Sequence, residues 1–248
     1  MERRAFPGDI NTLVSSELER RGFLAAFTER TGGVSATPYS SLNLGAEVGD
    51  LPERIRINRR LLADSLGVQP FATARQVHGT AVLHVTARDA VTGDADVLTT
   101  TDSALPLAVM TADCVPVALA SEHEGRLAAV HVGWRGLASG VVQRAMELFG
   151  GPRGVTASIG PAIGPCHYEV GPEVVEAVRH GVGKAVVAAS QQGRFMLDLA
   201  ATVEWFLRQL GAPVVEAAGV CTACEPGRFF SHRRDGITGR QALVTVGL

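Results

Sequence analysis

Two histidines and one cysteine occupy positions where side chains can do chemistry. His78 lies in RQVHGT, Cys114 in TADCVP and His131 in AVHVGWRG. Each ends or follows a short apolar run and leads into a turn, so rigid strand ends would fix the three side chains. Zinc prefers nitrogen and sulfur donors, and a catalytic zinc keeps three protein ligands with a fourth position for water or substrate. The three residues are too far apart in sequence to form a short metal motif, and plainer readings stay open. A cysteine in an apolar stretch commonly packs as a small hydrophobe, and a histidine after a strand is commonly a hydrogen-bonded structural residue.

Other phrases carry weaker signals. Cys221 and Cys224 form CTAC, a spacing used by zinc half-sites and by redox pairs, but there is no second C-x-x-C. Two unpaired thiols near a strand end is the favoured reading. His84, His123, His167 and His180 are read as non-ligands, with Cys166 and His167 in GPCHYEVG the pair most exposed to error. SHRRDGITGRQ places Arg233, Arg234 and Arg240 among glycines, which suits either a phosphate clamp or a solvated turn paired with Asp235. TGGVS could offer backbone N–H groups to an anion, but it is not a P-loop.

These residues need elements to position them. FLAAFTE at 23–29 reads as a strand, and PERIRINRRLLADSLG at 52–67 as an amphipathic helix closed by Gly67. FATARQV, AVLHVT, ADVLTT, LPLAVMT, VPVALAS and RLAAVHV give six short strands between 71 and 132. GLASGVVQRAMELFG, PEVVEAVRHGV and FMLDLAATVEWFLRQLG have helical spacing, while VTASIG, PVVEAAGV and ALVTVGL read as strands. Strands dominate the middle without regular β-α-β alternation. The expectation is an α+β (mixed α/β) fold, a single domain of mixed sheets flanked by helices. Residues 1–21 are expected to form an N-terminal extension and 22–248 the domain. No internal period marks a repeat architecture.

The bulk numbers set limits. With 248 residues, 46% hydrophobic and 19% charged, one large domain is the natural size. A formal charge of -2 gives no electrostatic case for nucleic acid or an anionic membrane. The start lacks a signal-peptide pattern, no apolar run reaches eighteen residues, and four cysteines do not make a disulfide framework. A soluble, cytoplasmic protein is expected.

Together, RTGGVS at 30–35, SLNLG at 41–45, RQVHG at 75–79, TADCVPV at 111–117, HVGWRG at 131–136, IGPAIGPCHYEVG at 159–171 and FFSHRRDGITGRQ at 229–241 resemble the laccase-domain, or YfiH-type, family. It is also called the purine nucleoside phosphorylase / polyphenol oxidase family. The resemblance covers nearly the whole chain from about residue 22. Val132 stands where alanine is common, and CTAC is not a constant part of the pattern.

The resemblance implies a mixed-sheet fold distantly similar to a toxin deamidase that uses a Cys–His pair. It implies zinc held by His78, Cys114 and His131, and the general affinity order would let Cu2+ bind such a site in vitro. The implied activities are phosphorolysis of adenosine, inosine, guanosine and methylthioadenosine, with deamination of adenosine. The implied partners are purine nucleosides and phosphate, with no nucleic acid, membrane or obligate protein partner. Some members resemble a peptidoglycan-editing amidase acting on a muropeptide precursor. A cysteine hydrolase using Cys114 and His131, and a zinc-stabilised binding module, remain rival classes.

Zinc acidifies water toward a pKa of about 7, enough for attack on C6 of adenosine. The H-x-E glutamate of common zinc deaminases is absent here, which leaves Asp113 as proton shuttle or ligand-orienting group. Cys114, His131 and Asp113 are therefore the expected catalytic residues. Position inside the family phrases nominates Arg30, Asn43, Arg75, Gln76, Arg135 and Arg233 for substrate binding.

Overall fold

The computed structural model describes residues 1–86, 93–151, 154–191 and 194–248. Among them the chain forms three sheets. The first is antiparallel, in the order β1 (Glu2–Phe6), β2 (Ile10–Val14), β3 (Phe23–Thr28), β14 (Gln241–Gly247), β6 (Leu107–Thr111). The second runs β13 (Val214–Ala217), β9 (Val155–Ile159), β7 (Val115–Ser121), β8 (Arg126–Val132), β5 (Val97–Thr100), β4 (Val82–His84). Its two outer pairs are parallel and the rest antiparallel, which makes it mixed. A small third sheet joins β10 (Glu169–Val170), β12 (Arg194–Leu197) and β11 (Val187–Gln191).

The unbroken apolar runs of β7 and β8 follow from burial on both faces. Val115, Val117, Leu119, Val130 and Val132 pack with Val142 of α4 (Val141–Met146), Val178 of α5 (Pro172–Val182) and Val203 of α6 (Leu199–Gln209). Alternate residues Ala118, Ala120, Leu127 and Ala129 pack instead with Phe27, Leu107, Val109 and Leu243 of the first sheet. The small alanines let the two sheets approach closely. The far face of the first sheet presents Ala108, Ala242 and Val244 to Leu62 of α2 (Pro52–Leu66) and to Leu42 and Leu44. Helices, sheet, sheet and helix thus form four layers, an α+β fold.

Residues 1–21 contribute the β1–β2 hairpin and α1 (Ser16–Glu19), burying Ile10, Val14 and Leu18 while β2 pairs with β3. Three local expectations change. FATARQV makes only single bridges, Ala72 to Leu107 and Arg75 to Asp94, and is not a strand. The helix expected from residue 136 is two, α3 (Trp134–Ala138) and α4, because Gly140 sits at φ 91° between them. The helix expected over 195–211 begins only at Leu199, since Asp198 caps it by accepting the Ala201 N–H at 2.8 Å, and FML belongs to β12. A short helix, α7 (His232–Asp235), precedes β14. Among the described residues no helix is long and apolar enough to cross a membrane.

Candidate active site

The register of the β7–β8 hairpin sets Val115 opposite Val132 and Pro116 opposite His131. Cys114, just before β7, and His131, next to last in β8, therefore emerge at the same end of the second sheet. β5 runs antiparallel to β8, so Asp96, just before β5, lies beside His131, whose N–H donates to the Asp96 carbonyl at 2.8 Å.

Asp96 is fully buried, and its carboxylate organises the neighbourhood. It accepts His131 Nδ1–H at 2.7 Å and the backbone N–H groups of Val77, His78 and Gly79 at 3.2, 3.0 and 2.7 Å. Burial alone would raise its pKa, but the His131 hydrogen bond and those backbone donors outweigh it and hold the carboxyl below its ordinary value. The same bonds hold His78 at φ 60°, where a side-chain-bearing residue is uncommon. The His78 and His131 rings meet edge to face with centroids 4.8 Å apart, and His78 Nε2 lies 3.7 Å from Cys114 Sγ.

One donor atom from each of His78, Cys114 and His131 fits within 4.8 Å of the others. His131 gives Nδ1–H to Asp96, which leaves Nε2 free as a ligand; a carboxylate that fixes the tautomer of a ligating histidine recurs at metal sites. Gly133 is required by space: a Cβ there would stand 2.5 Å from His78 Cδ2 and 3.4 Å from Cys114 Sγ. The residues present fit a metal ion of the nitrogen- and sulfur-loving kind. Without one, Cys114 and His131 form a charge pair. Burial opposes the thiolate, but the His131 charge and the hydrogen bonds from both histidines bring the Cys114 pKa from 9.0 down to about 6. Burial likewise opposes imidazolium, yet the Cys114 thiolate and Asp96 raise His131 to about 9.

The group lies in a cleft of about 600 Å3. Its lining includes Arg59 from α2, Arg75, Gln76, Arg135 from α3, His232 from α7 and Arg240. Arg59 donates to the Leu44 carbonyl through Nε and Nη2, and Arg240 donates to the Thr238 and Gly239 carbonyls. Among the described residues, Arg59, Arg135 and Arg240 have no carboxylate oxygen within ion-pair distance. Burial lowers the pKa of Arg59 from the usual value, and lowers that of Arg240 against the opposing charges of Cys114 and Asp113.

The residues singled out in sequence fall into two groups. His78, Cys114, His131, Arg75, Gln76 and Arg135 border the cleft. Arg75 is paired with Asp94 at 2.6 Å, and both ends of the Gln76 amide are taken by the Met110 backbone at 2.7 Å. Arg30, Asn43, Asp113 and Arg233 do not line it. Arg30 lies over the Phe230 ring and binds the Ser40 and Pro226 carbonyls. Asn43 is buried against Asp50, Gly45 and the Arg240 N–H. Arg233 reaches the Glu169 carbonyl over the Tyr168 ring. Both oxygens of Asp113 are engaged at 2.6 Å, by the Thr222 hydroxyl and the Arg233 N–H, which secures a backbone at φ 93° beside Cys114. Both carboxylate oxygens are thus occupied within the protein, outside the cleft lining.

Sequence reasoning missed Asp96, Arg59 and His232. The signal for Asp96 was a lone carboxylate opening an otherwise apolar strand, ADVLTT. Arg59 carried none, because an arginine on a polar helix face is ordinary. Cys166 and His167, read as non-ligands, meet Cys221 and Cys224 in a second cluster away from this cleft.

A family model described as multi-copper polyphenol oxidoreductase laccase matches residues 24–246. Purine nucleoside phosphorylase YfiH of Escherichia coli (strain K12) is 39% identical over 226 residues, covering 90% of this chain and 93% of that protein. A Streptomyces coelicolor purine nucleoside phosphorylase is 45% identical over 228 residues, covering 87% and 92%. Among solved structures, the Neisseria meningitidis protein NMB0706 superposes with a TM-score of 0.89 at 35% identity, covering 95% of this chain and 98% of that one. YlmD from Geobacillus stearothermophilus gives 0.85 at 35% identity, covering 91% and 92%.

Proposed function

The chain belongs to the family described as multi-copper polyphenol oxidoreductase laccase, and on that premise we propose that it is a zinc-dependent purine nucleoside enzyme that cleaves its substrates by phosphorolysis. The substrates are adenosine, inosine, guanosine and methylthioadenosine, with deamination of adenosine as a second outcome. The observation that carries the reading is the set of arginines without carboxylate partners, Arg59, Arg135 and Arg240, in one cleft with the His78–Cys114–His131 group. Names of relatives support it, since those from E. coli and S. coelicolor are called purine nucleoside phosphorylases.

Phosphorolysis forms a bond from a phosphate oxygen to the sugar C1′ while the bond to the purine nitrogen breaks. Its electron pair leaves on the base, which takes up a proton. The three arginines would bind and orient the phosphate, since guanidinium forks match its oxygens. His78, Cys114 and His131 would hold the zinc. When bound, that ion supplies Lewis acidity and stabilises negative charge developing beside it. Asp96 keeps His131 in the tautomer that ligates. His232 donates Nδ1–H to the Gly236 carbonyl at 2.7 Å, which leaves Nε2 to exchange a proton with the base.

One observation favours a second reading. Asp96, His131 and Cys114 line up as orienter, base and lowered-pKa thiol, the arrangement of a cysteine nucleophile. Metal ligation and nucleophilic attack compete for the same sulfur, so metal content separates the readings.

The test is product chromatography with adenosine, with and without phosphate, on the native protein and Cys114→Ala, alongside its zinc content. Phosphate-dependent adenine, lost in the variant and proportional to zinc, supports phosphorolysis. Inosine formed without phosphate supports deamination. Neither product above the variant's background removes the nucleoside reading and makes the muropeptide amide the next substrate. Activity in zinc-free protein would support the cysteine nucleophile.

A further inference from the structure

The C-x-x-C pair does not stand alone. Cys221 and Cys224 lie in the loop after β13, and Cys166 and His167 in the loop between β9 and β10. The two loops are zipped by backbone bonds, Ala162 N–H to the Val220 carbonyl at 3.2 Å and Thr222 N–H to the Ala162 carbonyl at 3.0 Å. His167 Nδ1 lies 3.3, 3.8 and 3.5 Å from the sulfurs of Cys166, Cys221 and Cys224, and the Cys166 and Cys224 sulfurs are 3.4 Å apart. All four donor atoms lie within 4.8 Å of one another.

These separations suit a tetrahedron around one ion. Zinc–sulfur bonds of about 2.3 Å and zinc–nitrogen bonds of about 2.0 Å give sulfur–sulfur edges of about 3.8 Å and sulfur–nitrogen edges of about 3.5 Å. A disulfide would account for two of the sulfurs and leave no reason for one imidazole nitrogen to face all three. The cradle is also built for thiolate. Gly164 N–H donates to Cys221 Sγ at 3.2 Å, and a Cβ at Gly164 would stand 3.1 Å from Cys221 Cβ and 3.5 Å from the sulfurs of Cys166 and Cys221.

We propose that Cys166, His167, Cys221 and Cys224 form a second metal centre, a closed Cys3His site for structural zinc. Binding replaces the three thiol protons and leaves the histidine neutral. The first centre has three donors open to a cleft; the second has four and no vacancy for substrate, the distinction between catalytic and structural zinc. Its ion would staple the two loops at the wall behind Cys114. Thr222, between the two cysteines of the pair, bonds Asp113, and Arg234 reaches the Thr222 and Ala223 carbonyls at 2.9 and 3.2 Å. The proposal does not depend on which reaction the cleft performs.

Metal content tests it on full-length protein purified from zinc-supplemented cells without chelator. We expect two zinc ions per chain in the native protein, one in Cys114→Ala, and one in the double variant Cys221→Ser/Cys224→Ser. Cobalt reconstitution of Cys114→Ala should give the near-ultraviolet sulfur-to-cobalt absorption of a thiolate site, and this readout stands even where the double variant fails to fold. The proposal is overturned if Cys114→Ala holds no zinc after gel filtration and shows no such absorption. It is equally overturned if the denatured, unreduced variant titrates one free thiol instead of three, the result of a disulfide.

Discussion

Asp96 shows how much one carboxylate can organise. Three N–H groups and one imidazole converge on it, so replacing it disturbs both His78 and His131 at once. Asp96→Asn should weaken metal binding at the His78 centre about 10- to 100-fold, the usual effect of losing a carboxylate behind a ligating histidine. Competition against a chromophoric chelator would measure it, and an affinity equal to native would remove the assigned role. In metal-free protein the Cys114 thiol is lowered to about 6, so thiolate is the dominant form above that pH. Iodoacetamide alkylation of Cys114 should therefore rise through about pH 6 and plateau well below 9, and bound zinc should suppress it. At this scale the three residues of the candidate metal group were legible because all lay inside distinctive phrases, Cys114 and His131 at strand ends and His78 in a loop. Asn43, Arg30 and Arg233 were nominated on phrase membership alone, and their contacts are internal, which no spacing reveals.

The elements owe their positions to a few punctuating residues. Gly133 lets α3 begin against the His78 ring, and Gly133→Ala should displace that ring. We expect it to lower metal affinity at the cleft while leaving the Cys166 cluster loaded, a split that separate stoichiometries would show. Asn58 on α2 is fully buried, donating to the Ser35 hydroxyl and the Ser41 and Asn43 carbonyls and accepting the Val34 N–H. Asn58→Ala strands these groups and should cost about 3 kcal/mol or more, read from denaturant midpoints. The apolar strands β3 and β5 to β9 were readable from composition. β1 and β2 were not, because ERRAF is mostly charged, as suits an edge strand, and INTLV breaks its apolar run with Asn11 and Thr12. The start of α6 was hidden because FML extends the apolar pattern past its cap at Asp198.

Across the molecule, Glu29 is almost fully buried between Arg3 of the first strand and Arg228 of the loop after β13. Burial opposes its charge, but the two guanidinium groups prevail and hold the carboxyl below its ordinary 4.5. The sign follows: its stabilisation is full above about 4.5 and is lost as pH falls through the lowered folded-state value. Glu29→Gln should therefore lower the melting temperature at neutral pH, with the gap from native narrowing progressively below about pH 4.5. A gap unchanged with pH would assign the loss to packing. That the two sheets face each other was not legible: alternating alanine and large aliphatic residues on β7 announce two covered faces but not what covers them.

The place of β14 has a further consequence. The last strand is inserted between β3 and β6, hydrogen-bonded to both, and Arg240 of the cleft immediately precedes it. On the ribosome, β3 and β6 must wait for residues 241–247 to emerge before their sheet can close, and the covering layers have nothing complete to pack on until then. The slowest pairing joins segments more than two hundred residues apart. A nascent chain thus presents the open edges of β3 and β6 until then, and a chain truncated before Gln241 should be cleared by proteases rather than persist.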